Sequence, residues 1–176
     1  FTALAASGVD IVPVTRPGFG YVAQAGSGSE TVDNITYHRL PTLASYSYGE
    51  AQYMLESVEL YKDFFKSSKA TKVHARSTYL IAIPAIIAAH QLGLKVVYEV
   101  SGLWELVYHG RETQTSLKRR STFGEFWETQ AAKAADAVMT MNAPMKDLLV
   151  QRGAEPTKIS LAPHAVDVER FKPSSS

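Results

Sequence analysis

The stretch Lys72–Glu105, KVHARSTYLIAIPAIIAAHQLGLKVVYEVSGLWE, restricts what this chain can fold into more than any other. Lys72–Ala75 is a short strand-like run that leads into Arg76-Ser77, and Thr78–Leu92 is an apolar segment too long for a strand. Gly93 follows it where a helix commonly stops. Lys95–Val100 is β-branched, and Ser-Gly-Leu-Trp-Glu comes next. Strand, helix and strand in that order predict a βαβ unit, hence parallel strands and a right-handed connection. Open sheets of this kind bind ligands at the carboxyl ends of their strands. His74, Arg76, Ser101, Gly102, Trp104 and Glu105 therefore fall on the rim where chemistry is expected.

The flanking chain continues the alternation. Phe1–Gly8 reads as the last turns of a helix, Val9–Thr15 as a strand, and Ile35–Leu40 as a strand stopped by Pro41. Between them Pro17–Ser29 holds four glycines, Gly18, Gly20, Gly26 and Gly28. Such a stretch can cradle a phosphate, but it lacks the G-x-G-x-x-G spacing and reads first as a surface loop. Tyr46–Ser68 is a helix, with Ala51, Met54, Leu55, Val58, Tyr61 and Phe65 as its core stripe. Pro84 predicts that the next helix either starts near Ala82 or kinks. Ser116–Ala135 is a third helix with Thr115 or Ser116 as N-cap, and Lys118, Arg119 and Arg120 sit near its amino end. That placement opposes the helix dipole, so the triplet is either a solvated face or an anion site. Ala137–Met141 is a strand, Asn142 caps a helix with Pro144 in its first turn, Gly153 ends it, and Lys158–Ala162 is the last strand. The pattern is that of an α/β domain with a doubly wound, mostly parallel sheet flanked by helices.

Composition excludes more than it selects. With no cysteine there are no disulfides, zinc–thiolate sites or cysteine nucleophiles. A net charge of +1 and scattered basic residues give no support to nucleic-acid binding. His109 and His164 lie far apart in sequence and Asp167-Val168-Glu169 has no partner, so no metal site is predicted. At the rim, His74 suits a general base or a hydrogen-bonded structural histidine, and Arg76 an anion clamp. Ser101-Gly102 allows a close backbone turn under a ligand. Glu99 and Glu105 can serve as acid and base, orient sugar hydroxyls, or pair with Arg76 and Arg111. Trp104 offers a flat apolar face to a sugar ring or a buried anchor. No complete catalytic constellation is present.

Several runs, spanning most of the chain, carry a family likeness. Ala5-Ala6-Ser7-Gly8-Val9-Asp10 with Ile11–Thr15, Val73-His74-Ala75-Arg76-Ser77, Ala134-Ala135-Asp136-Ala137-Val138 and Lys158–Pro173 occur in an order and spacing that resembles the amino-terminal, acceptor-side domain of family 4 glycosyltransferases. Val97–Glu105, VYEVSGLWE, is similar to the corresponding run of exopolysaccharide-type members, including those linked to exosortase clusters. The resemblance implies a Rossmann-like half of a GT-B fold, with residues 1–165 forming the domain and 166–176 starting an interdomain linker. It implies transfer of a sugar, with retention, from a nucleotide-sugar to a glycan or lipid-linked acceptor. No cofactor or metal is implied, and the donor would be held mainly by a C-terminal domain outside this chain.

Acceptor contacts are expected from His74, Arg76, Glu99, Ser101, Gly102, Trp104, Glu105 and His164. Ser101 stands where many members carry histidine, Arg76 replaces the second histidine of His-Ala-His-Ser, and His164-Ala165 replaces Asn-Gly. The likeness lacks the family's first strand, so Val9–Thr15 and Lys72–Ala75 are expected either to pair directly or to leave an edge that recruits another chain. The chain is expected in the cytoplasm, and a lipid-linked acceptor would bring Lys118–Arg120 near anionic headgroups at the inner face of the membrane. The alternative is a non-catalytic α/β interaction module that uses Trp104 and the glycine-rich loop for protein contacts.

Overall fold

The computed structural model of the protein describes residues 1–19, 28–43, 49–76, 78–103, 105–106, 115–166, 168 and 171, with backbone only for 115–121. The central element is a four-stranded parallel sheet of β3 (Lys72–Arg76), β4 (Lys95–Val100), β5 (Ala137–Thr140) and β6 (Ile159–Leu161), ordered as they occur in the chain. The connections are α3 (Tyr79–Gln91), α4 (Thr115–Ala134) and α5 (Ala143–Gln151). Because each connection advances in the same direction, right-handed crossovers set all three helices on one face.

The strands record that packing in their alternation. Val73 and Ala75 of β3, and Val96, Tyr98 and Val100 of β4, are buried under the helices together with Val138. The residues between them, His74, Arg76, Val97 and Glu99, lie on the other face and keep part of their surface.

The apolar run that announces α3 explains its depth: Ala82, Ala85, Ile86, Ala88 and Ala89 are all buried, and small alanines let α2 (Glu50–Ser67) and α4 pack on its two sides. Pro84 does not delay the helix. Regular structure begins at Tyr79 and runs through the proline, whose missing N–H is the cost. In α2 the buried stripe is Tyr53, Met54, Ser57, Val58, Tyr61 and Phe65. Ala51 and Leu55, expected in that stripe, are exposed, Leu55 by 63%. They sit one helical step beyond the arc that α3 covers. Asn142 caps α5 as expected, its Oδ1 accepting the Met145 N–H at 2.9 Å, and Gly153 follows the helix with φ +91°. The predicted helix Ser116–Ala135 starts one residue earlier, so Thr115 is its first residue rather than its cap.

Two expectations for the amino-terminal part need correction. After the short helix α1 (Thr2–Ala6), Val9–Thr15 is not a strand: among the described residues one parallel bridge, Val14 to His38, is all that forms there. Pro13 interrupts the run, and a residue without an N–H cannot extend a ladder. The end of the glycine-rich stretch is instead a strand, β1 (Gly28–Val32), which pairs antiparallel with β2 (Ile35–Arg39). Asp33 and Asn34 join the two with φ 49° and 62°, the positive values that a two-residue hairpin turn needs. The centre of the glycine-rich stretch, residues 20–27, lies outside the described residues.

Consequently Val9–Thr15 does not pair with β3. Among the described residues β3 has β4 as its one strand neighbour, so its outer edge is open.

Candidate functional site

Parallel register brings the predicted rim residues together. Arg76 ends β3 opposite Glu99 of β4, and His74 lies two residues earlier on the same face. Glu99 is the hub. Its Oε2 meets His74 Nε2 at 2.9 Å, and its Oε1 meets Arg76 Nε at 3.2 Å. Ser101, just beyond β4, closes the ring: Arg76 Nε–H donates to its Oγ at 3.0 Å, and its hydroxyl donates to Glu99 Oε1 at 3.0 Å. Glu99 is 21% exposed, whereas His74 and Arg76 are 43% and 58% exposed.

A half-buried carboxylate thus fixes two cationic or polar side chains at the carboxyl end of the sheet. The Arg76 contacts use Nε, so both Nη groups have no partner among the described residues. His74 meets Glu99 through Nε2, which leaves Nδ1 outside that contact. The array therefore offers fixed donors and a further ring nitrogen to a polyhydroxylated ligand.

The other predicted residues fall differently. Gly102 follows Ser101 without a positive φ, and a Cβ built on it meets nothing within 4 Å. The fold itself does not require glycine there. Gly102→Ala is expected to leave thermal stability unchanged to within about 0.5 kcal/mol while weakening any ligand that lies against this turn. A melting curve beside a binding titration checks this, and a large loss of stability would contradict it.

Glu105 is not on the open face. It is 2% exposed, and Arg152 Nη1 donates to its Oε1 at 2.6 Å. Arg152 Nε also approaches Glu125 of α4 at 3.5 Å. His164 is exposed and follows β6 at the same end of the sheet, but β6 is three strand spacings, roughly 14 Å, from β3. It makes no bond to the array. Trp104, His109 and Arg111 lie outside the described residues, as do Asp167 and Glu169 and the side chains of Lys118, Arg119 and Arg120.

Beneath the rim is a second polar cluster that the sequence reading missed. Glu128 of α4 is 2% exposed. Its Oε1 accepts the Tyr79 backbone N–H at 2.9 Å, and the Tyr98 hydroxyl donates to Oε2. Tyr79 in turn donates its hydroxyl to Glu50, at the start of α2, at 2.5 Å. Thr78, the N-cap of α3, makes no side-chain cap, so Glu128 supplies one from another helix. Burial raises the Glu128 carboxyl to about 7, and Glu105 adds to that, while the hydrogen bonds from Tyr98 and Tyr79 and the charge of Arg152 oppose it. Burial and the neighbouring Glu128 push the Tyr98 hydroxyl well above its usual range. The available signal was a carboxylate on the same helix face as Ala131, Ala132 and Ala135.

Asp136, part of one family-like run, lies at the opposite end of the sheet. Its carboxylate takes Lys95 Nζ at 2.7 Å, the Val96 N–H at 2.9 Å and His90 Nε2 at 3.0 Å. The Lys95 ammonium and the Val96 amide hold it far below the usual carboxylate range. This residue ties α3, β4 and β5 together and takes no part in the site.

A parallel sheet under crossover helices, with its polar array at the strand ends, has the architecture of one α/β half of a GT-B enzyme. The structure of sucrose-phosphate synthase from Thermosynechococcus elongatus superposes on 99% of this chain with a TM-score of 0.64 at 16% sequence identity. The chain spans 43% of that protein's length. The model of the glycosyl transferase 4-like domain matches residues 1–165, and the chain belongs to that glycosyltransferase family. No curated protein sequence matches it.

Proposed function

We propose that the chain is the acceptor-side half of a retaining, nucleotide-sugar-dependent glycosyltransferase acting on a glycan or lipid-linked acceptor in polysaccharide synthesis. Residues 1–165 form the domain, residues 166–176 lead toward a second domain, and that second domain holds most of the donor. The observation that carries this reading is the array of His74, Arg76, Glu99 and Ser101 at the carboxyl ends of adjacent parallel strands, with neither Arg76 Nη group bonded among the described residues.

In this role Glu99 keeps Arg76 and His74 in place before the acceptor arrives, which lowers the ordering cost of binding. The Arg76 Nη groups donate to acceptor hydroxyls or to an anionic group, and His74 Nδ1 accepts from a hydroxyl. The open edge of β3 is where a further strand, including one from a second copy, would add.

In the two-domain enzyme, Arg76→Ala is expected to lower transfer by roughly ten- to a hundredfold, the loss of one or two charge-assisted hydrogen bonds. The effect belongs in the acceptor KM, with the donor KM unchanged. Steady-state kinetics over a panel of nucleotide-sugars checks it. A change confined to the donor KM, or no change, would contradict the assignment.

A further inference from the structure

The segment after β4 carries Ser101 of the array and is fastened from below. Leu103 is buried, the Leu106 N–H returns to the Leu103 carbonyl at 3.0 Å, and Glu105 turns inward. A Cβ added at Gly124 of α4 would lie 3.7 Å from Glu105 Cβ. The segment therefore rests on the face of α4 that carries Glu128 one turn later. Two carboxylates meet there, Glu105 and Glu128, each 2% exposed. Arg152 Nη1 bonds Glu105 at 2.6 Å, and its charge also reaches Glu128. Glu128 itself is held by the Tyr98 hydroxyl and the Tyr79 N–H, and among the described residues no cation bonds it.

We propose that Glu128 is a positioning residue for the acceptor site: its proton decides whether Arg152 holds Glu105, and so whether Ser101 and Gly102 stand where the array needs them. With the proton on, Arg152 belongs to Glu105 and the segment stays seated on α4. With it off, two charged carboxylates compete for the guanidinium in an interior that screens them poorly. Glu128 is fixed within a long helix by two hydrogen bonds, whereas Glu105 lies in the connection between β4 and α4 and is the partner that gives way.

The surroundings set the range in which this happens. Burial raises the Glu128 carboxyl to about 7, and the charge of Glu105 works in the same direction. The groups that face it come from every element packed around it: Tyr98 from β4, Tyr79 from α3, Glu105 from the segment after β4, and Arg152 from the end of α5. On its own helix, Glu125 reaches Arg152 at 3.5 Å. What the segment does for binding rests on the sugar-transfer reading; the proton-linked movement does not.

Amide spectra of the isotope-labelled full chain, recorded without ligand from about pH 5.5 to 8.5, test the movement. The Gly102, Leu103 and Leu106 signals are expected to shift with a midpoint near 7, and Glu128→Gln should abolish that midpoint. Tyr98→Phe removes a bond that favours the charged form, so its midpoint should move to higher pH. Histidines titrate in this range too, and His74→Gln should leave the midpoint at Leu103 and Leu106 in place. Glycan titrations at the two ends of the range read the consequence. From the acid to the alkaline end, affinity should fall about fivefold further in wild type than in Glu128→Gln, a comparison from which histidine titration cancels. Melting curves establish that the variants fold, and Tyr98→Phe decides if Glu128→Gln does not. Unresponsive amides, a midpoint that survives Glu128→Gln or stays put in Tyr98→Phe, or an equal fall in affinity in both proteins would overturn the proposal. Glycans that bind at no pH would sink the sugar-transfer reading and the positioning role with it, while the ligand-free spectra judge the movement by themselves.

Discussion

Arg152→Ala is expected to destabilise the chain by about 3–5 kcal/mol, the usual cost of removing one partner of a buried ion pair. The reason is burial on both sides: the Arg152 side chain is 10% exposed and that of Glu105 1%. Arg152 caps the carboxyl end of α5 and reaches both the segment after β4 and Glu125 of α4, so its loss leaves a carboxylate in the interior and loosens three elements at once. Arg152→Met/Glu105→Leu removes both charges and should recover most of the loss, because a matched apolar pair avoids desolvation. Urea unfolding of both variants at neutral pH checks the pair. A loss below about 1 kcal/mol in the single variant would mean that water reaches Glu105.

The second large effect is on the pH dependence of stability. The Glu128 carboxyl, raised to about 7 in the fold, keeps its proton over a range in which the unfolded chain has already lost it. Stability is therefore expected to fall as pH rises from about 4.5 to 7 and to level off above that. A shift of this size corresponds to about 3 kcal/mol at most. Glu128→Gln cannot ionise, yet keeps an oxygen for the Tyr79 N–H and an amide for the Tyr98 hydroxyl, so its stability should be flat across the same window. The comparison isolates one group among several that face it: Tyr98 from β4, Tyr79 from α3, and beyond them Glu105 and Arg152. Parallel denaturation curves at a series of pH values read the difference. Equal slopes for wild type and Glu128→Gln would show that Glu128 ionises freely.

These two sites mark where reading the sequence stops. Strands β3 to β6 and the helices between them were legible because parallel strands buried under helices write apolar runs, and because Asn142, Gly93 and Gly153 punctuate them. The array of His74, Arg76, Glu99 and Ser101 was legible for a topological reason: the residues that end adjacent parallel strands must be neighbours. Glu128 and Arg152 were not, since a buried charge and a solvated one look alike until their partners are known, and these partners lie on other elements. Leu55 misled because its helix has the right period, but which arc of it is covered depends on α3. Gly28 and Ser29 read as loop by composition, although the Asp33–Asn34 pair held a usable hairpin signal. The exopolysaccharide likeness of VYEVSGLWE is a matter of side chains, and it stands as a proposal beside the glycosyltransferase family that the chain belongs to.

Amide-shift mapping of the isotope-labelled chain, titrated with glycans and separately with nucleotide-sugars, tests the central claim most directly. The account predicts that glycans shift the amides of His74, Arg76, Glu99, Ser101 and Gly102, leave those around Asp136 unmoved, and that nucleotide-sugars bind only weakly. Tight nucleotide-sugar binding together with an unresponsive Arg76–Glu99–Ser101 array would contradict it.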